Sequence, residues 1–225
     1  LALGAYELRT IALTLGAPPA TLTPPASAPV ALPLDRCVTS GDGQAATDGY
    51  DAAGRALPAE LFPREVVCDG VRYVLGPAEG GRLNAVTARG QTVALPEGEW
   101  DAVYVLAAAA GDDVAAAFAV DGVEHGVTVH AAAGFVGQAE SLVVGGRVVA
   151  SRAQAPAYIR PGRVAWYATH LHDAAGANCA YEFGYVFAYR LPAGRALTLP
   201  RDERVRVQLT ETDGQDLITI ERSGQ

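Results

Sequence analysis

The stretch Tyr181-Glu182-Phe183-Gly184-Tyr185-Val186-Phe187-Ala188-Tyr189 carries an aromatic ring at every second position. Successive side chains of a strand point to opposite faces, so a period of two is a strand signature, and a regular strand brings all of these rings to one face. That face has two readings. It is a platform on which the apolar C–H face of a pyranose stacks, or it is core with the tyrosine hydroxyls hydrogen-bonded at its margin. The core reading is favoured, because rings this large ordinarily dominate a core and a platform does not need so long a row.

The surrounding sequence repeats the strand grammar. Short β-rich runs lie at Val71–Leu75, Thr92–Leu95, Ala102–Leu106, Val114–Val120, Val127–His130, Leu142–Ala150, Arg163–Leu171 and Arg204–Thr210. Turn formers separate them, among them Asp48-Gly49, Asp69-Gly70, Gly111-Asp112-Asp113, Asp121-Gly122, Gly145-Gly146 and Pro161-Gly162. Many short strands with dense turns predict an all-β fold, a β-sandwich or jelly roll. Ala102–Ala119 is alanine-rich and has a rival helical reading. The Gly-Asp-Asp break in its middle and the β-formers Val103, Tyr104 and Val105 favour two strands joined by a turn. Asp216–Glu221 is a candidate last strand.

The domain reading follows from composition. Residues 1–16 read as one terminal strand of a preceding β-domain, apolar on one face from Ile11 on. Residues 17–33 hold six prolines among alanine, serine and threonine. Proline fixes φ and removes a donor, so they read as an extended linker. Residues 34–211 form the main β module, and residues 212–225 a C-terminal extension. With neither a methionine nor a charged-then-apolar leader at its start, the sequence reads as part of a longer protein, and its compartment cannot be read.

Charge excludes some partners. Against 25 acids stand 17 bases, every base an arginine, giving a net charge of −8. An acidic chain with no basic run lacks the footprint of a nucleic-acid or anionic-membrane binder. Three widely spaced cysteines, Cys37, Cys68 and Cys179, fit neither a zinc finger nor a disulfide framework and are expected as free thiols.

Two constellations carry candidate chemistry. In Arg163–Asp173, Trp166, His170 and His172 share one parity, and two imidazoles at i, i+2 beside Asp173 have two readings: half of a metal site that would need His130 or a carboxylate to complete it, or, as the favoured reading, a strand end where the histidines contact solvent or a loop. Asp48, Asp51 and Glu60 lie in and after a glycine-containing loop, Asp48-Gly49-Tyr50-Asp51-Ala52-Ala53-Gly54-Arg55. Their oxygens suit a hard cation such as a structural calcium, although the spacing matches no EF-hand and Asp and Gly are also ordinary turn formers. Trp100, Trp166 and Tyr167 are candidate ring-stackers, with His170 and His172 as further ligand-binding candidates. The sequence contains no GxSxG, HExxH, P-loop or GxGxxG, and marks out no carboxylate pair for glycosidase work.

Several strings, in order, resemble the C-terminal region of bacterial α-mannosidase-like proteins of glycoside hydrolase family 38. They are Tyr50-Asp51, Gly54-Arg55 and Pro58-Ala59-Glu60-Leu61-Phe62-Pro63; Gly70-Val71-Arg72-Tyr73-Val74-Leu75-Gly76-Pro77; Asn84-Ala85-Val86; Gly90–Pro96; Asp101–Ala109; Trp166-Tyr167-Ala168-Thr169-His170; and Leu197-Thr198-Leu199-Pro200. Tyr6-Glu7-Leu8-Arg9-Thr10 is similar to a strand of the β-domain of such enzymes. In that family the zinc and the catalytic carboxylates belong to an N-terminal catalytic domain outside these residues, so no catalytic residue carries over. The resemblance implies a non-catalytic, glycan-binding or accessory β-sandwich of an α-mannosidase. Its partners would be a mannose-containing glycan and the catalytic domain of the same polypeptide. One departure stands out: the family pattern has tryptophan after Gly137-Gln138, where this sequence has Ala139, which weakens any sugar contact there. The alternative is a module that packs on the catalytic domain and stabilises it without a ligand of its own.

Overall fold

The computed structural model describes residues 26–222 apart from 29, 136, 156, 209, 213, 214 and 218. The expected strand at residues 1–16 and the first part of the linker lie outside the described residues. Every described element is a strand. No helix among the described residues is long and apolar enough to cross a membrane.

The main sheet has eight strands, and its centre is Ala102–Ala109 beside the long strand Asn178–Pro192. Those two pair antiparallel, Phe187 opposite Ala107 and Leu191 opposite Val103. Arg163–His172 and Ala133–Phe135 add to Asn178–Pro192, while Val205–Gln208 joins Ala102–Ala109 to Ala85–Thr87. A second sheet of four strands runs in the order Val123–Val129, Val114–Val120, Ala196–Thr198, Thr92–Ala94.

Both faces of the main sheet are covered. Val103, Val105, Ala107 and Ala109 pack with Phe118, Leu197 and Val207 in one core. Leu106 and Ala108 pack with Leu57, Tyr73, Leu171 and Val186 in another, on the opposite face. A strand buried on both sides cannot show the polar–apolar alternation of a half-exposed one. This is why the alanine-rich run reads ambiguously and is nevertheless a strand. The Gly111 turn, at φ 97°, separates it from Val114–Val120 as expected.

Three expectations change. Residues 26–33 are not merely linker: Ala26–Ala28 pairs antiparallel with Thr219–Arg222, and Val30 and Leu32 are buried in the first core. Nor does the C-terminal extension stand outside the module: the last strand expected at Asp216–Glu221 is met by Thr219–Arg222, which also pairs with Ala102–Ala109. Leu142–Ala150 is not one strand. It is the tip of a hairpin, Gln138–Val144 against Arg147–Ala155, turned by Gly145 and Gly146 at φ 58° and 77°. Two successive residues at positive φ are what a tight, right-twisting hairpin turn demands, and glycine supplies them without a Cβ clash.

Candidate functional site

Trp166, His170 and His172 do look the same way, toward the segment 57–62. The Trp166 ring meets Phe62 edge-on at 5.2 Å. The Nε2 of His170 lies 3.0 Å and that of His172 3.3 Å from the same oxygen, Glu60 Oε1. The backbone fixes this meeting. Thr39–Ser40 pairs parallel with Leu57–Pro58, and Ala56 exchanges both backbone hydrogen bonds with His172, at 2.9 and 3.0 Å. Glu60 then sits in the turn that follows Pro58, closed by Leu61 N–H donating to the Pro58 carbonyl.

Among the described residues, Glu60, His170 and His172 are the one group of three or more such side chains whose ligand atoms all lie within 4.8 Å of one another. Exposure is graded across it: the Glu60 side chain is 40% exposed, His170 20% and His172 fully buried. His172 Nδ1 is hydrogen-bonded to Ser40 Oγ at 3.0 Å, whereas its Nε2 has no hydrogen-bond partner. Burial pushes the Glu60 carboxyl up. The backbone hydrogen bond at Glu60, that from His170, and the charges of His172 and His170 outweigh it and hold the group below its ordinary range. Two imidazole nitrogens and one carboxylate oxygen form a donor set that first-row transition ions take.

The remaining candidates separate from this cluster. Asp48 Oδ2 accepts the Cys37 amide at 2.8 Å. Asp51 accepts the amides of Ala53 and Arg55 and the Arg55 guanidinium, so it staples its own loop. Asp173 caps the turn after His172 through the amides of Ala175 and Ala177, and His130 pairs with Asp113 at 3.1 Å. The oxygen-rich set Asp48, Asp51 and Glu60 is therefore not assembled, and Glu60 meets two imidazoles instead. Trp100 packs on the first core and donates Nε1–H to the Pro96 carbonyl, so its ring is spent on structure.

The aromatic row is core at one end and surface at the other. Phe187 is fully buried, Tyr185 stacks on Tyr158 at 5.1 Å, and Phe183 lies parallel to Tyr167 at 6.3 Å. Tyr167 is 57% exposed. Tyr181 leaves the row, because its φ of 68° falls where the register slips between Ala168 and His170. Sequence reasoning missed Ser40 and Tyr158, neither of which carries a local signal. The three cysteines are free thiols.

The model of the AziU2-like beta-sandwich domain matches residues 26–212. The chain belongs to the AziU2-like β-sandwich family. That match spans both cores and the Glu60–His170–His172 cluster, and it starts where Ala26–Ala28 enters the main sheet. It supports the β-sandwich module and does not extend to a mannosidase affiliation. The comparison with curated proteins returns no match.

Proposed function

We propose that this AziU2-like sandwich is a non-catalytic accessory module that docks against a larger catalytic domain of the same polypeptide. The observation that carries the reading is the hairpin tip Ser141–Ala150, in which Leu142, Val143, Val144, Val148 and Val149 are all more than half exposed. Leu142 and Val144 fall on one face and Val143, opposite Val148, on the other, so neither face is polar. A two-stranded hairpin is marginal by itself, and contiguous exposed apolar surface marks an interaction site. That the catalytic domain is α-mannosidase-like rests on the resemblance of the ordered strings from Tyr50 to Pro200.

Hydrogen exchange on the isolated chain and on the longer protein that contains it tests the docking. Amides of residues 141–150 are expected to exchange fast in the isolated chain and to become protected in the longer protein. In the longer protein, Val143→Glu with Val148→Glu should remove the protection while leaving the melting temperature of the isolated chain nearly unchanged, as surface substitutions do. Equally fast exchange in both settings would overturn the reading.

A second reading, glycan binding, is favoured by one observation: the exposed Tyr167 ring, held parallel to Phe183 at an interplanar angle of 8°. Calorimetric titration with mannose and mannooligosaccharides checks it. The reading predicts heat at millimolar sugar that Tyr167→Ala abolishes, and no heat from the unaltered chain rejects it.

A further inference from the structure

We propose that Glu60, His170 and His172 bind one divalent transition ion of the zinc class. The inference stands apart from the docking and glycan readings and uses none of the residues that carry them. Zinc takes imidazole nitrogen and carboxylate oxygen at roughly 2.0–2.2 Å, which sets ligand atoms about 3.4 Å apart along a tetrahedral edge. Glu60 Oε1 lies 3.0 and 3.3 Å from the two Nε2 atoms, so a small outward swing of Glu60, the most exposed of the three, admits the ion.

The decisive atom is His172 Nε2. Its residue is fully buried, yet this nitrogen has no hydrogen-bond partner and faces a carboxylate oxygen out of hydrogen-bond alignment. Buried polar atoms are paired in the great majority of cases, so an unpaired one needs an explanation. With the proton on Nδ1, donated to Ser40 Oγ, Nε2 is left with an unprotonated lone pair close to the carboxylate. A cation beside them would give the nitrogen lone pair and the carboxylate oxygen the partner that neither supplies to the other. The Ser40 contact is also the kind of outer hydrogen bond that orients a metal-bound imidazole and fixes its tautomer.

The rest of the surroundings agree. The donors come from backbone already pinned by the Thr39–Ser40 and Leu57–Pro58 pairing and by the Ala56–His172 bridge, so binding costs little ordering. The gradient from buried His172 to exposed Glu60 leaves one side open for ion entry and for a water as fourth ligand. Two imidazoles disfavour calcium or magnesium, which take oxygen donors.

The test uses the whole chain stripped with a chelator and titrated with Zn²⁺ in a calorimeter, alongside Co²⁺ followed by visible absorption. One equivalent of zinc should bind, with the melting temperature rising as zinc is added, while millimolar Ca²⁺ or Mg²⁺ leaves it unchanged. Glu60→Gln and His170→Ala alter partly exposed side chains. Each should still melt as a folded protein without metal, at a slightly lower temperature, and weaken zinc binding more than about 10-fold, and Ser40→Ala should weaken it by about 10–100-fold. Cobalt needs no variant: it should give the spectrum of a nitrogen–oxygen site without a thiolate charge-transfer band. Absence of saturable zinc binding, unchanged affinity in both Glu60→Gln and His170→Ala, or a thiolate band pointing to Cys68 or Cys179 would each overturn the proposal.

Discussion

Asp113 shows how much one side chain of this sandwich can hold. Its carboxylate accepts the Ala131 amide at 2.9 Å, pairs with Arg160 at 2.8 Å and meets His130 Nδ1 at 3.1 Å. Burial pushes the group up, but the Ala131 amide, Arg160 and His130 outweigh it and hold the carboxyl below the ordinary range. A carboxyl lowered in the folded state contributes stability that is fully present above its unfolded value, about 3.9, and is lost as pH falls through the folded value. Asp113→Asn should therefore cost about 1.5 kcal/mol at neutral pH, typical of a hydrogen bond to a charged group, and flatten the fall of melting temperature below about pH 4. Melting curves recorded from pH 2 to 8 check this, and parallel profiles for the two proteins would count against it. Beside it, Gly134 is chosen by space alone: a Cβ there would lie 2.2 Å from Tyr158 Cγ. Gly134→Ala should lose about 1–3 kcal/mol by overpacking. Gly126→Ala, where a Cβ meets nothing within 4 Å, should stay within about 0.5 kcal/mol. Urea unfolding measures both.

At the scale of elements, the hairpin Gln138–Val144/Arg147–Ala155 ends in a tip, residues 141–150, whose every residue is exposed. Limited trypsin digestion should cut first after Arg147, at the exposed turn, and much later after Arg206, which is buried in the main sheet. Early cleavage at Arg206 would contradict this ordering of local stability. The same hairpin shows where sequence reading stops. Gly145-Gly146 is a turn former in the sequence, yet the β-formers on both sides of it also let Leu142–Ala150 be read as one run, which the two positive-φ glycines divide. Val114–Val120, by contrast, was legible to the residue: it alternates, and Asp-Gly bounds it on one side. The candidate site was legible in halves. Period two placed Trp166, His170 and His172 together, and a loop rich in oxygen donors drew attention to Glu60. Their meeting spans 110 residues and depends on a parallel pairing and a single backbone bridge. Neither leaves a trace in local sequence, and so Glu60 is first read with Asp48 and Asp51.

For the whole molecule, the consequential fact is that one sheet serves two cores. Ala102–Ala109 sends Val103, Val105 and Ala107 into one and Leu106 and Ala108 into the other. Small side chains on this strand let layers approach from both sides, and the family match over residues 26–212 takes in both layers as one unit. Removing either core would expose a face of the strand that also floors the other, so the two should melt together. Leu197 and Leu57 report on them separately, each fully buried, one in each core. Leu197→Ala and Leu57→Ala should each cost about 2–5 kcal/mol, the usual range for a buried leucine replaced by alanine. Both should shift one calorimetric transition whose van't Hoff and calorimetric enthalpies still agree. If the layers were independent, each variant would instead lower one of two transitions and leave the other in place. A single peak that moves for both variants is the expected result, because the sheet between the cores cannot be folded for one and unfolded for the other.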